Sequence, residues 1–309
     1  MKKLLITILS IILAIVVIPL LIPVPPIEGL VDPKTLMDED SKYIEIQGVE
    51  IHYKDMGEGT DTYILLHGFG ASTYSYRDLQ PYLSQTSRVI SYDRPGFGLS
   101  QRPLEWDTFN PYTPEAQIQI LIELMDKLEV ENAILVGHSA GGLVAVNTAL
   151  EHPERIQEMI LIAPAIYQSH NTPQWLKPLL NTPQMNKMGI LLARSISRNG
   201  ERILNNAFYD PTVVTEEIKN EYKKPLQVKD WDKALWIITK STYSLNTQER
   251  LEELDIPVLI VTGDTDTIVK TEYSIKLAQE IPNARLEIME ECGHIPHEEK
   301  FEEFIKLAF

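Results

Sequence analysis

A chain of 309 residues with 44% apolar side chains can bury the core of one large domain. Its net charge of −16, from 44 acidic against 28 basic residues, excludes the basic surface that a phosphate backbone needs, so no nucleic-acid partner is expected. The one cysteine, Cys292, excludes an internal disulfide, a cysteine-rich zinc site and an iron–sulfur cluster.

The chain opens on Lys2 and Lys3, followed by an apolar run over residues 4–22 in which only Thr7 and Ser10 are weakly polar. A spanning helix takes roughly 20 apolar residues and a signal-peptide core roughly 7–15. No small-x-small cleavage pattern follows; the next residues are "PVPPIE". The run therefore reads as an uncleaved signal anchor, a transmembrane helix over residues 1–24, with secretion after cleavage as the alternative. Lysines on one side and Glu28, Asp32, Asp38, Glu39 and Asp40 on the other predict a single-pass protein of the cell membrane with its bulk outside the cytoplasm. The proline-rich, acidic residues 25–42 read as a linker.

Beyond it, "YIEIQGVEIHYKDMG" alternates on both sides of Gly48, which predicts a hairpin. Short apolar runs at 62–68 and 88–93 predict strands, each leaving into a glycine turn, "HGFG" and "RPGFGLS". A helix is predicted over 113–128, with Thr113 as cap, Pro114 at its first position, and Ile118, Leu121, Ile122, Met125 and Leu128 on one face. A buried strand at 132–137 precedes the helical "AGGLVAVNTALEH", and strand 158–164 follows. After residue 246 come strand 257–264, a helix, strand "ARLEIME" and a last helix. Continuous apolar strands alternating with helices imply an α/β fold with a mostly parallel sheet covered on both faces. From 167 to 246 the alternation fails; prolines, Trp175, Trp231 and Trp236 sit among helical patches, which predicts a helical insertion over the sheet edge.

Functional groups in such sheets collect beyond the carboxyl ends of the strands. There, "Gly137-His138-Ser139-Ala140-Gly141" matches G-x-S-x-G between a strand and a helix. The tight turn exposes a serine hydroxyl, and the helix amino end favours negative charge beside it. A serine needs a base, oriented by a carboxylate that precedes the base in the chain. Downstream histidines are His152, His170, His294 and His297. His294, in a loop directly after a strand, is the preferred base, and His297 the second choice. Of the acids after strand 257–262, Asp266 lies deeper in the loop and is preferred to Asp264. The oxyanion donors are expected to be the N–H groups of Phe69 and Ala140. His67 reads as a buttress of the Phe69 loop.

Together "HGFG", "DRPGFGLS", "GHSAGG", "GDTDTIV" and "CGHIPHEEKFEEF" resemble the α/β-hydrolase superfamily, in its group with an inserted cap. The resemblance covers residues 43–309. It implies a hydrolase core over 43–166 and 247–309, a cap over 167–246, Ser139 as nucleophile, Asp266 as acid, His294 as base, and Phe69 and Ala140 as oxyanion donors. The expected chemistry is hydrolysis of a carboxylic ester or related acyl bond of an apolar small molecule, with no cofactor and no metal. Alternatives are carbon–carbon bond hydrolysis of a diketone-like substrate, perhydrolase or haloperoxidase-like activity, and a non-catalytic binding protein. An aspartate would replace Ser139 in a dehalogenase or epoxide hydrolase. Zinc on His294 and His297 is the weaker use of His294.

Overall fold

The computed structural model describes residues 17–168 and 177–309, with residues 3, 6, 7 and 10 of the N-terminal segment. Eight strands form one sheet: β1 (Lys42–Ile46), β2 (Val49–Met56), β3 (Thr62–Leu66), β4 (Arg88–Tyr92), β5 (Ala133–His138), β6 (Ile156–Ile162), β7 (Val258–Gly263) and β8 (Ala284–Met289). Their order is β1-β2-β4-β3-β5-β6-β7-β8. The β1–β2 and β2–β4 pairings are antiparallel and every other pairing is parallel. The hairpin turns at Gln47 and Gly48, both left-handed with φ of 51° and 75°, as a two-residue hairpin loop requires.

Alternate residues of the parallel strands enter two separate cores, because strand side chains switch faces with period two. Ile64, Leu66, Leu135, Met159, Leu161, Val258 and Ile260 meet helices α2 (Pro114–Lys127), α3 (Ala140–Glu151) and α8 (Thr271–Glu280). On the other face Leu65, Val136, Ile160, Ile162, Leu259 and Val261 meet Leu79 and Leu83 of α1 (Leu79–Leu83) and Phe304 of α9 (Phe301–Ala308). Cys292 is buried on this second face, beside Met289.

Helix α2 starts where expected: Thr113 accepts from Ala116 N–H and Pro114 takes the first turn. Its buried stripe includes Ile120 and Leu124 as well as Leu121 and Met125, while Ile122 is only partly buried. Each fully buried leucine here contributes about 1.5–3 kcal/mol. The last helical stretch is interrupted at Lys300, between the turn Pro296–Glu299 and α9.

Between β6 and β7 the described residues form α4 (Pro183–Arg198), α5 (Gly200–Ala207), α6 (Glu216–Lys223) and α7 (Trp231–Ser241). Helices α4 and α7 pack closely because Gly189 has no side chain: a Cβ there would lie 2.0 Å from the Trp236 indole. Trp231 and Trp236 are buried, whereas Trp175 and His170 lie outside the described residues.

Among the described residues no helix is long and apolar enough to cross a membrane. This corrects the expectation of a transmembrane anchor that fixes the protein in the cell membrane with its bulk outside the cytoplasm. Residues 17–21 are helical, and most of the apolar run lies outside the described residues. Near its end and just after it, the carbonyls of Leu20 and Pro25 accept from Lys187 and Arg194 of α4, at 2.6 and 2.8 Å. Residues 25–42 are held in place: Val31 bonds the backbone of Gln227 and Lys229, and Asp38 pairs with Lys54 and Lys224.

Candidate active site

The site begins with a backbone conformation. Strand β5 ends at His138, α3 starts at Ala140, and Ser139 between them adopts φ 51° and ψ −116°. A serine held in that region costs about 1–3 kcal/mol, so the surrounding structure must impose it. Ser139 N–H donates to Ile162 O at 2.8 Å, and Ser139 O accepts from Ala165 N–H at 3.0 Å. The turn fits only because Gly141 lacks a side chain: a Cβ there would lie 2.0 Å from Leu66 O and 2.7 Å from His67 O.

The loops after β7 and β8 bring the other groups. His294 Nδ1 bonds Asp266 Oδ2 at 2.7 Å, and both side chains are almost fully buried. The second oxygen of Asp266 accepts from the N–H groups of Ile268 and Val269 at 2.8 and 2.9 Å. With its carboxylate held on three donors, Asp266 keeps the His294 proton on Nδ1 and leaves Nε2 bare as an acceptor. Asp264 is used elsewhere, accepting from Cys292 N–H at 3.2 Å. His297 bonds Ser75 Oγ at 3.1 Å and has no contact with Asp266.

Gly68, one residue before Phe69, abuts the serine: a Cβ on it would lie 3.3 Å from Ser139 Cβ. Neither the Phe69 nor the Ala140 N–H donates to another protein group among the described residues. The structure thus brings Ser139, Ala140 and the Phe69 loop together, and places His294 on Asp266. No hydrogen bond joins Ser139 Oγ to His294 among the described residues, as is common before substrate tightens a site.

Sequence reasoning passed over His138. Its Nε2–H donates to His294 O at 3.1 Å, and its ring lies 4.8 Å from that of His294 and 5.0 Å from that of His297. It also passed over Glu298. That carboxylate, buried beside His297, pairs with Arg77 and accepts from Ser75 Oγ at 2.6 Å and from Tyr222 of α6 at 2.5 Å. Both residues lie inside quoted motifs, but these partners are 76 or more residues away in the chain, and no spacing rule announces them.

Burial sets the protonation of this histidine group. It pushes His67 and His297 down to about 3, aided in each case by a nearby guanidinium, and pushes His138 well below the ordinary histidine value. Their folded values lie below the unfolded 6.5, so this stability is complete above pH 6.5 and lost as the pH falls. Each contributes a slope of about 1.4 kcal/mol per pH unit while it stays neutral. Thermal melts are expected to show the midpoint dropping steeply from pH 6.5 toward 4; a flat profile there would mean that these rings ionise freely in the folded protein.

Comparison with known proteins bears on the fold and the family. A family model described as the alpha/beta hydrolase fold matches residues 63–301. A 2-hydroxy-6-oxo-6-phenylhexa-2,4-dienoate hydrolase of Comamonas testosteroni is 32% identical over 267 residues, 84% of this chain and 89% of that protein. An uncharacterized hydrolase of Bacillus subtilis is 28% identical over 257 residues, 82% of this chain and 91% of its own. Among solved structures, a meta-cleavage product hydrolase of Pseudomonas fluorescens superposes with a TM-score of 0.68 at 29% identity, covering 86% of this chain and 95% of the other. The chain belongs to the α/β-hydrolase fold family and is a hydrolase of that fold.

Proposed function

We propose that this chain is a serine hydrolase that cleaves an ester or related acyl bond of a neutral, largely apolar small molecule. The observation that carries the reading is the 2.7 Å His294–Asp266 bond beside a serine strained into the strand-to-helix turn. Ser139 Oγ attacks the carbonyl carbon while its proton passes to His294 Nε2. The new oxyanion accepts from the N–H groups of Phe69 and Ala140. Collapse of the intermediate breaks the bond to the leaving group, which takes the proton from His294. Water then attacks the acyl-enzyme through the same histidine and releases the acid. Residues 43–166 and 247–309 serve as the core in this reading, and 167–246 as the cap that receives the substrate.

A neutral substrate is favoured because Arg77 is paired with Glu298 and Arg94, though without an ion pair, is buried with a terminal nitrogen on Gly68 O at 3.2 Å, so neither is offered to a substrate carboxylate. The second reading, carbon–carbon bond hydrolysis, is favoured by the relatives, whose names give dienoates as substrates. There the leaving group is an enolate carbon that takes the proton.

One panel separates the two: p-nitrophenyl esters of short and long acyl chains, a 2-hydroxy-6-oxodienoate, and a serine-directed phosphonate. Ester turnover with a phosphonate adduct on Ser139 is the expected result. A kcat/KM for the dienoate exceeding that for every ester would move the assignment to the second reading. Neither turnover nor adduct, in folded protein, would overturn both.

A further inference from the structure

The peptide between Gly68 and Phe69 has two ends with different surroundings. Its N–H, next to Ser139, has no protein partner among the described residues. Its carbonyl has three: His67 Nδ1 at 2.7 Å, a terminal nitrogen of Arg94 at 3.2 Å and, more weakly, the Ala71 N–H at 3.4 Å. The hydrogen bonds fix which proton sits where. Arg94 N–H donates to His67 Nε2 at 3.0 Å, so that nitrogen is the bare one and Nδ1–H must point at the Gly68 carbonyl. The Arg94 guanidinium therefore holds this carbonyl directly, while the main-chain N–H at position 94 sets the tautomer of the imidazole that holds it as well.

The guanidinium is itself unusual. Arg94 is 6% exposed, makes no ion pair among the described residues, and its Nε has no hydrogen-bond partner. Its charge lies 5.0 Å over the Phe97 ring. A buried cation without a carboxylate is costly, and a loop buttress alone could be built from a neutral amide. A cation bonded to a peptide carbonyl draws electron density from the N–H at the other end, which makes that N–H a stronger donor. Negative charge growing on the substrate oxygen also feels an unneutralised positive charge across a dry peptide.

We infer that the Arg94 guanidinium is a positioning and polarising group for the Phe69 oxyanion donor, acting through the Gly68 carbonyl. This rests on the reading of Ser139 and Phe69 given above. Arg94 never touches the substrate. Its contribution grows with charge on the oxyanion and is small while the carbonyl is neutral.

The test compares Arg94→Gln and Arg94→Lys with the parent, on the best ester found in the panel. Arg94→Gln keeps a donor for the Gly68 carbonyl and removes the charge; Arg94→Lys keeps the charge. The expected loss in kcat for Arg94→Gln is about 10- to 100-fold, below the full effect of losing an oxyanion donor, with KM changed less than about threefold. Affinity for a trifluoromethyl ketone, which forms a charged adduct on Ser139, falls in parallel with kcat. Affinity for the corresponding uncharged methyl ketone stays within about threefold. Arg94→Lys recovers most of both losses. A kcat within twofold of the parent for folded Arg94→Gln overturns the inference, as does an equal loss of affinity for both ketones, which marks a displaced loop. If Arg94→Gln fails to fold, Arg94→Lys decides alone: near-parental kcat and trifluoromethyl ketone affinity support the charge, and a loss equal for both ketones overturns it. A parent enzyme that neither turns over esters nor labels at Ser139 overturns instead the reading on which this stands.

Discussion

Replacing Ser139 with alanine is expected to lower kcat by roughly 10⁴- to 10⁶-fold while leaving KM within a few-fold. The effect is large because in the proposed mechanism the other groups act only through the serine hydroxyl. A bare His294 Nε2 with no hydroxyl to deprotonate has no function in the first chemical step. What survives is binding and the oxyanion donors, acting on a water molecule. Stability should depend on whether the replacement keeps a Cβ. Ser139 is held at φ 51°, where any side chain with a Cβ is strained. Glycine removes that strain at the cost of a more flexible unfolded chain, about 0.5–1 kcal/mol. Ser139→Gly should therefore melt above Ser139→Ala, by roughly 2–4 °C for each kcal/mol of relief in a domain of this size. Steady-state kinetics with thermal melts of the two variants check both halves. Turnover above one part in a hundred in Ser139→Ala would remove the serine from its role.

The second large effect is expected from Asp266→Asn, a change of one atom. Two of the three bonds to this side chain come from the backbone N–H groups of Ile268 and Val269, and an amide oxygen accepts them equally well. The amide nitrogen is thereby directed at His294 Nδ1. Two N–H groups cannot face each other, so the imidazole moves its proton to Nε2 and keeps Nδ1 as an acceptor. The nitrogen that must take the serine proton is then already protonated. The expected loss in kcat is about 10⁴-fold, with fold and KM retained. Phosphonate labelling of Ser139 should slow by a similar factor. Asp264→Asn is the matched control; its amide oxygen can keep the turn contact from Cys292 N–H, and it should cost activity little. A larger loss from the control than from Asp266→Asn would transfer the orienting role to Asp264.

Much of the architecture could be read before any coordinates. Strands such as 132–137 and 257–262 are apolar on both faces, and that is how a strand buried in a parallel sheet must look. The left-handed pair at Gln47 and Gly48 needs a glycine, and the glycine is visible. The turn at Ser139 is legible for the same reason. Strand order is not: that β2 lies against β4 and not against its sequence neighbour β3 depends on long-range pairing with no local signature. The N-terminal run is the weakest reading: an apolar window measures composition only, and among the described residues no helix is long and apolar enough to cross a membrane. Arg94 and Glu298 show the remaining limit. Each looks like a surface charge in the sequence, and each is buried through contacts far along the chain.

The buried thiol has a practical side. Cys292 is the chain's single cysteine, sealed in the core beside Met289, and burial raises its pKa so that little thiolate forms. It is therefore a poor target for maleimides, for peroxide and for disulfide exchange in the native state. The wild-type chain already serves as a cysteine-silent background. One cysteine placed at exposed Leu192 on α4 and another at exposed Glu58 on the core would be its reactive thiols. A pair of spin labels there could follow the distance between the helical insertion and the sheet during turnover without first removing a native residue.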